Sequence, residues 1–410
     1  MKNFLAFLAF LLLLSCRPDT LHLTRNRSAA GAGSRPRHGS EEAAVPSKPL
    51  PDTLVYVSAV EFPEDYDWQR DTAYGTVPCR VSLFLEGERI LSVPAGPGTF
   101  VGADPDRMRI REGHLYTDCA TETHTVICRD GEELFRYEGP ESLRGFLLQD
   151  GKIHTLGQRI GREGFTYRID GRVVMEREEG TLVGTEDHPA GDGGALYPEG
   201  GRICFSYVRE GALPHEIHLG AGGKVIRSDT CPEAVWVHDQ RLIGGVLYRV
   251  EKRTAPWKDP TLVIDGKDVI PPPWYRGNSR KCVIVPDRED VIVLGFSRPR
   301  EADIACFWKY GLGFPVAERE DVTTVLYEDG IFAWVAPETA AVGKRLIPFP
   351  GRMRLLSRKC AAFCGGRLFL ALTGEPDLLL AGDGFSAIPV HGFLSGIRVE
   401  VPEKDVSLSP

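Results

Sequence analysis

The chain lacks the motifs that usually name a reaction. Its 410 residues contain no Cys-x-x-Cys pair and no His/Cys cluster at zinc spacing, so no structural metal and no cofactor is expected. His215-Glu216-Ile217-His218 has one residue too few for the helical zincin pattern. It reads as a strand, in which His215 and Glu216 face opposite ways. Positive charge is also short: 49 Lys and Arg against 57 Asp and Glu give a formal charge of −8. With no nucleic-acid motif present, that balance excludes a nucleic-acid partner. The apolar run from Phe4 to Leu14 is too short to cross a bilayer as a helix. The nine cysteines after Cys16 are odd in number and scattered through strand-like segments. They read as small buried hydrophobes rather than a disulfide framework.

The first sixteen residues have the order of a secretory signal, with Lys2 before the apolar run and Leu13-Leu14-Ser15-Cys16 after it. That ending resembles the lipobox of bacterial lipoproteins. The resemblance implies cleavage of a signal peptide at residues 1–15 and acylation of Cys16. It also implies a place in the bacterial cell envelope, held at the membrane by the lipid anchor only. Arg17 and Pro18 follow the cysteine where aspartate would favour inner-membrane retention. The outer membrane is therefore expected, with its leaflet open. Residues 16–52 are poor in apolar side chains and rich in Pro, Gly, Ser and charge, the composition of a disordered tether. Residues 53–410 remain for a single, monomeric body.

A turn motif recurs through that body: an acidic residue or glycine, then glycine, between β-rich apolar runs. Clear copies are Glu86-Gly87, Asp130-Gly131, Asp170-Gly171, Gly222-Gly223 and Asp265-Gly266. Further turns are read at Tyr310-Gly311, Pro350-Gly351 and Gly382-Asp383-Gly384. The series repeats about every 42 residues, the period of a four-stranded β-propeller blade. A second series (Glu112-Gly113, Asp150-Gly151, Gly200-Gly201, Asp239-Gln240, Arg288-Glu289, Asp329-Gly330, Gly365-Gly366) gives each blade two tight hairpins joined by a longer loop. The expected fold is an all-β propeller of four-stranded antiparallel blades. Eight is the literal count; seven follows if the short last repeat merges with the first, and six if the turns near 311 and 351 mislead. The first blade lacks a strand before Leu54, and the run Gly396–Val401 is expected to supply it and close the ring.

There is no Trp-Asp blade ending and no Ser-x-Asp-x-Gly-x-x-Trp box. In outline the chain resembles outer-membrane propeller lipoproteins, including the propeller subunit of the barrel-assembly machinery, without that protein's recurrent tryptophan motif. It also resembles Bacteroidetes-like propeller lipoproteins of no named blade family. Neither resemblance carries catalytic residues.

Both tight-turn series fall on one edge of such a propeller, and the longer loops gather on the other, where function tends to sit. Those loops are rich in cations: Arg159, Arg162, Arg209, Lys252, Arg253 and Lys258 around Trp257, then Arg298 and Arg300. They suit an anionic glycan or an acidic partner segment, because guanidinium pairs bidentately with anionic oxygens. Alternatively the loops are simply charged, and Glu64, Asp65, Asp67 and Asp71 break the pattern in blade one. Pro271–Gly277 offers Trp274 and Tyr275 on a stiff segment, as a platform or as packing. Trp236, Trp308 and Trp334 sit in apolar strands and are expected in the core. The longest insertion, read between blades three and four, holds Asp187, His188 and Asp192. A histidine among carboxylates can serve as a general base. The leading expectation is a non-enzymatic envelope propeller that binds a partner protein or anionic glycan; the alternative is a carbohydrate-active enzyme, a polysaccharide lyase or glycoside hydrolase.

Overall fold

The structure is a computed structural model that describes residues 53–70, 76–184, 194–209, 215–231, 235–253, 261–269, 282–287, 290–297, 304–309, 312–315, 322–351, 353–381 and 384–401. The signal, Cys16 and the tether lie outside them. Strands dominate the described residues, and they form eight antiparallel sheets, seven of four strands and one of five. Blade two is typical: Met108–Arg111, His114–Ala120, His124–Arg129 and Glu132–Glu138 pair in chain order. Blade one takes its first strand from the C-terminus, since Gly392–Glu400 pairs antiparallel with Leu54–Glu61, Leu54 opposite Glu400. That strand begins four residues earlier than the sequence suggests, because Phe393 and Leu394 are buried.

Apolar alternation drives each sheet onto the next. Val60, Val81 and Leu83 of blade one share a cluster with Met108, Ile110 and Leu115 of blade two. Leu156, Phe165 and Tyr167 of blade three meet Leu196, Phe205 and Tyr207 of blade four. Phe369, Ala371 and Leu379 of blade eight meet Val55, Val57 and Leu394 of blade one, so the last sheet packs on the first. Each fully buried side chain of this size contributes roughly 1.5–3 kcal/mol. First strands of neighbouring blades touch one another, as Gly392–Glu400 touches Met108–Arg111 and Val235–Ile243 touches Cys282–Asp287. Fourth strands such as Arg172–Arg177 are largely exposed. The first strands are therefore innermost and the fourth outermost.

The recurrent acid-glycine pair has a plain physical cause. Glu86, Glu112, Asp130, Asp150, Asp170, Asp265 and Asp329 all have φ between 46° and 53°, and the glycine after each has φ between 68° and 88°. Two successive positive φ values make a type I′ turn, whose twist matches that of the flanking strands. In the outer hairpins the acid also clasps the second strand. Asp170 donates its N–H to the Ile153 carbonyl (2.8 Å), and its Oδ1 accepts from the Ile153 N–H (2.9 Å). Asp130 does the same to Leu115, Asp265 to Leu247 and Glu86 to Val55.

Three expectations need correction. The outer turn of blade seven is at Gly343-Lys344, between Thr339–Val342 and Arg345–Pro348. Gly351 instead lies in the connection to blade eight. The inner turn of blade five is Gly244-Gly245, because Asp239 and Gln240 lie inside the strand Val235–Ile243. The long insertion does not separate blades three and four: it interrupts the first strand of blade four, whose halves Thr181–Val183 and Tyr197–Glu199 both pair with Arg202–Arg209. Arg288-Glu289 and Tyr310-Gly311 lie outside the described residues, though the strands flanking each are paired.

Candidate functional site

The longer connections share the edge opposite the tight turns, and the chain joins the body at Leu54, on the tight-turn edge. Among the described residues, blades four and five depart from the regular pattern near the loop edge. The insertion leaves the innermost strand of blade four after Gly184 and returns at Gly194. Its returning end is held from both sides. Ala195 donates its N–H to the Arg144 carbonyl of blade three (2.9 Å), Gly145 bridges Gly194, and Arg241 of blade five donates Nη2–H to the Gly194 carbonyl (3.4 Å).

The innermost strand of blade five breaks the alternation of the others. A bulge between Val237 and Asp239 shifts its register, and Asp239, Gln240 and Arg241 are all buried. Asp239 Oδ2 accepts the Ile284 N–H of blade six at 2.8 Å and lies 3.5 Å from Arg241 Nε. The Arg241 guanidinium sits 4.7 Å over the Tyr197 ring. Gln240 Nε2 donates to Ser206 Oγ (3.2 Å). Buried Arg249 pairs with Glu251 (2.6 Å) and with Asp229 (3.0 Å). Most polar groups at this depth are paired, so blade five meets blades four and six across hydrogen bonds.

His238 is the bulged residue. Burial first, then the Lys252 charge, pushes its imidazole down to about 4, so it is neutral at pH 7. Its Nε2 has no hydrogen-bond partner among the described residues. Two residues before it, Trp236 is 66% exposed. This corrects the expectation of a core tryptophan: Val235 and Val237 face the apolar cluster with Val208 and Ile217 of blade four, which turns the intervening indole outward. Trp334 is buried as expected; the side chain of Trp308 lies outside the described residues. Lys252 is the direct cross-strand partner of Trp236.

The described members of the cationic loop set are spread over blades three to five. Arg159 is held by Glu176 and, at 2.5 Å, by Glu178, which leaves its side chain 9% exposed. Arg209 pairs with Glu179 at 2.6 Å and reaches Glu216 at 3.6 Å. Arg162 is exposed. Arg253 ends a strand of blade five, and its side chain is outside the described set. Trp257, Lys258, Arg298, Trp274, Tyr275, Asp187, His188 and Asp192 also lie outside the described residues. Sequence reading thus missed Trp236, although the alternation of Val235, Trp236 and Val237 could have placed the indole on the outer side.

Elsewhere on the loop edge, Asp377 in blade eight is 4% exposed. Its Oδ1 accepts the Gly374 N–H (2.8 Å), while Oδ2 has no partner among the described residues. Burial pushes its carboxyl up to about 7. The eight described cysteines are free, and burial raises most of their thiols, Cys360 to about 12. Among the described residues, no three His, Cys, Asp or Glu side chains gather as a metal site.

No protein-family model and no curated protein sequence matches the chain. Among solved structures it is similar to a dihydro-heme d1 dehydrogenase, NirN, at 11% identity and TM-score 0.47, covering 90% of this chain and 77% of that one. An acylaminoacyl peptidase from Pyrococcus horikoshii matches at 11% identity and TM-score 0.43, covering 69% of this chain; the chain spans about half of that peptidase's length, 51%. A polysaccharide lyase, Uly1, matches at 10% identity and TM-score 0.37, covering 82% of this chain and 98% of the lyase. Likeness at this level concerns fold alone. The sheets themselves make the chain a β-propeller, with eight antiparallel blades among the described residues, seven of four strands and blade four of five.

Proposed function

We propose that the chain is a lipid-anchored envelope propeller that binds a partner protein or an anionic glycan through its loop edge, without catalysis. One observation carries the reading: the chain joins the body on the tight-turn edge, opposite the longer connections. Binding surfaces tend to gather on the longer connections of that opposite edge, carried by a rigid scaffold. The test is capture by the body, residues 53–410, of solubilised envelope proteins and of arrayed polyanionic glycans at low and moderate salt. Salt-sensitive capture of a glycan or a stable envelope partner is expected; a body that retains neither ends the proposal.

A second reading rests on the insertion. The described residues at its two ends, Gly184 and Gly194, adjoin the halves of an innermost strand, and the Gly194 carbonyl accepts from Arg241, which lies beside Asp239. Propellers can hold paired carboxylates near their axis for glycoside chemistry. On this reading the protein cleaves an acidic polysaccharide and His188→Ala abolishes turnover. Absence of turnover across a broad glycan panel removes it.

A further inference from the structure

We propose that residues 373–377 form a pH-sensitive latch on the seam between blade eight and the strand Gly392–Glu400, shut while the Asp377 carboxyl carries its proton and loosened when that proton leaves. The latch does not depend on the binding role of the loop edge. These residues join Arg367–Leu372 to Leu378–Ala381 and are tied to the segments on either side. Thr373 exchanges backbone hydrogen bonds with Arg354 in the connection from blade seven (2.8 and 2.9 Å), and its Oγ1 accepts the Leu394 N–H of Gly392–Glu400 (3.0 Å). The Asp377 carbonyl accepts the Ile388 N–H, ahead of that strand, at 3.0 Å. Ile388 and Leu394 both belong to the apolar cluster that packs blade eight on blade one.

The Asp377 side chain closes this connection from within. Its Oδ1 accepts the Gly374 N–H, and its Oδ2 is buried with no partner among the described residues. An ionised carboxyl placed so is costly, and the neutral acid is not. The charged groups of the surrounding segments are engaged elsewhere or face water. Glu375 accepts from Gln69 Nε2 of blade one (2.9 Å), where Asp67 and Arg70 pair with each other (3.3 Å). Arg354 is exposed, and His391 Nε2 lies 3.2 Å from the Tyr66 carbonyl. In the short helix Arg358–Cys360, half-buried Arg358 precedes Lys359, whose Nζ donates to the Asp106 and Met108 carbonyls. Burial therefore dominates and raises the carboxyl to about 7, opposed by the Gly374 N–H. Opening hydrates the acid and returns it toward 3.8. The latch is thus tightest below about pH 4, and its opening grows about tenfold per pH unit until it levels off near pH 7.

The test follows hydrogen exchange in the full chain in detergent, wild type beside Asp377→Asn, between about pH 5 and pH 7 with intrinsic rates divided out. The Gly374 and Ile388 amides report the latch, because both donate to Asp377. The Ile153 amide, which donates to Asp170 in blade three, reports the body. Wild-type opening at the two reporters is expected to rise at least about tenfold over this range, with Asp377→Asn nearly flat. The reporters should also open more readily than Ile153, as a local event does. Equal slopes in the two proteins overturn the latch, and so do reporters no more open than Ile153, which then open only with the whole body. Should Asp377→Asn fail to fold, the wild type decides alone: a rising profile at the reporters supports the latch and a flat one overturns it.

Discussion

A turn glycine in this fold carries one requirement or two, and the difference is measurable. Gly171 has φ of 76°, and a Cβ there would lie 2.7 Å from Phe135 Cδ1 of the preceding blade. Gly151 has φ of 68°, but a Cβ there meets nothing within 4 Å. Gly151→Ala should cost about 1–2 kcal/mol, the strain of an L-residue in the left-handed region. Gly171→Ala adds a clash between blades and should cost at least about 1 kcal/mol more; equal losses in denaturant unfolding would show that the approach of Phe135 is not restrictive. Asp377 gives a second test at this scale. Its carboxyl rises from 3.8 when unfolded to about 7 when folded. The native state therefore favours the neutral acid, and this stabilisation is present in full below about pH 4. It is lost as pH climbs to 7, because the unfolded chain ionises first. The loss amounts to about 4 kcal/mol. Asp377→Asn should flatten that decline and leave the protein more stable than wild type at pH 8. Parallel pH profiles for the two proteins would refute the assignment.

Among the elements, seven hairpins were legible in the sequence from an acid-glycine pair that fits two positive φ values in succession, although Glu138-Gly139 and Glu179-Gly180 carry the same pair in longer connections. Glycine pairs served as well: Gly200-Gly201 and Gly365-Gly366 lie at their expected turns. Blade seven escaped because Gly343 follows Val342 and carries no acidic flag. Blade five escaped because the buried Asp239-Gln240-Arg241 run looks like a polar turn until its partners in blades four and six are known. Long-range pairing of that kind leaves no local trace, which also hid the path of the insertion. The candidate site was less legible than the fold. Arg159 and Arg209 were readable as loop cations, but not their neutralisation by Glu176, Glu178 and Glu179. The C-terminal strand was legible, and its role can be tested. Residues 397–400 pair with Leu54–Val57 along the innermost edge of blade one. Deleting Ile397 onward should expose that edge and either lower the melting temperature or drive oligomers visible by light scattering. An unchanged monomer with an unchanged melt would mean that the pairing contributes little to closure.

At the scale of the whole molecule, attachment to the envelope is proposed to hang on a single atom, the Cys16 sulfur. Among the described residues no helix is long and apolar enough to cross a membrane. The proposed anchor is a set of acyl chains, each buried methylene of which contributes about 0.8 kcal/mol, and more than one chain is needed for stable attachment. Cys16→Ser removes the acceptor and is expected to alter nothing in the propeller, none of whose described residues it touches in sequence. The variant is expected to move from the membrane fraction to the wash and to lose incorporation of a labelled fatty acid, with the melting temperature of the body unchanged. Retention at the membrane with continued labelling would place the lipid elsewhere. Retention without labelling would mean that the envelope holds the body through its own surface; the loop edge would then be the first place to seek that contact, by repeating the fractionation with Trp236→Ala.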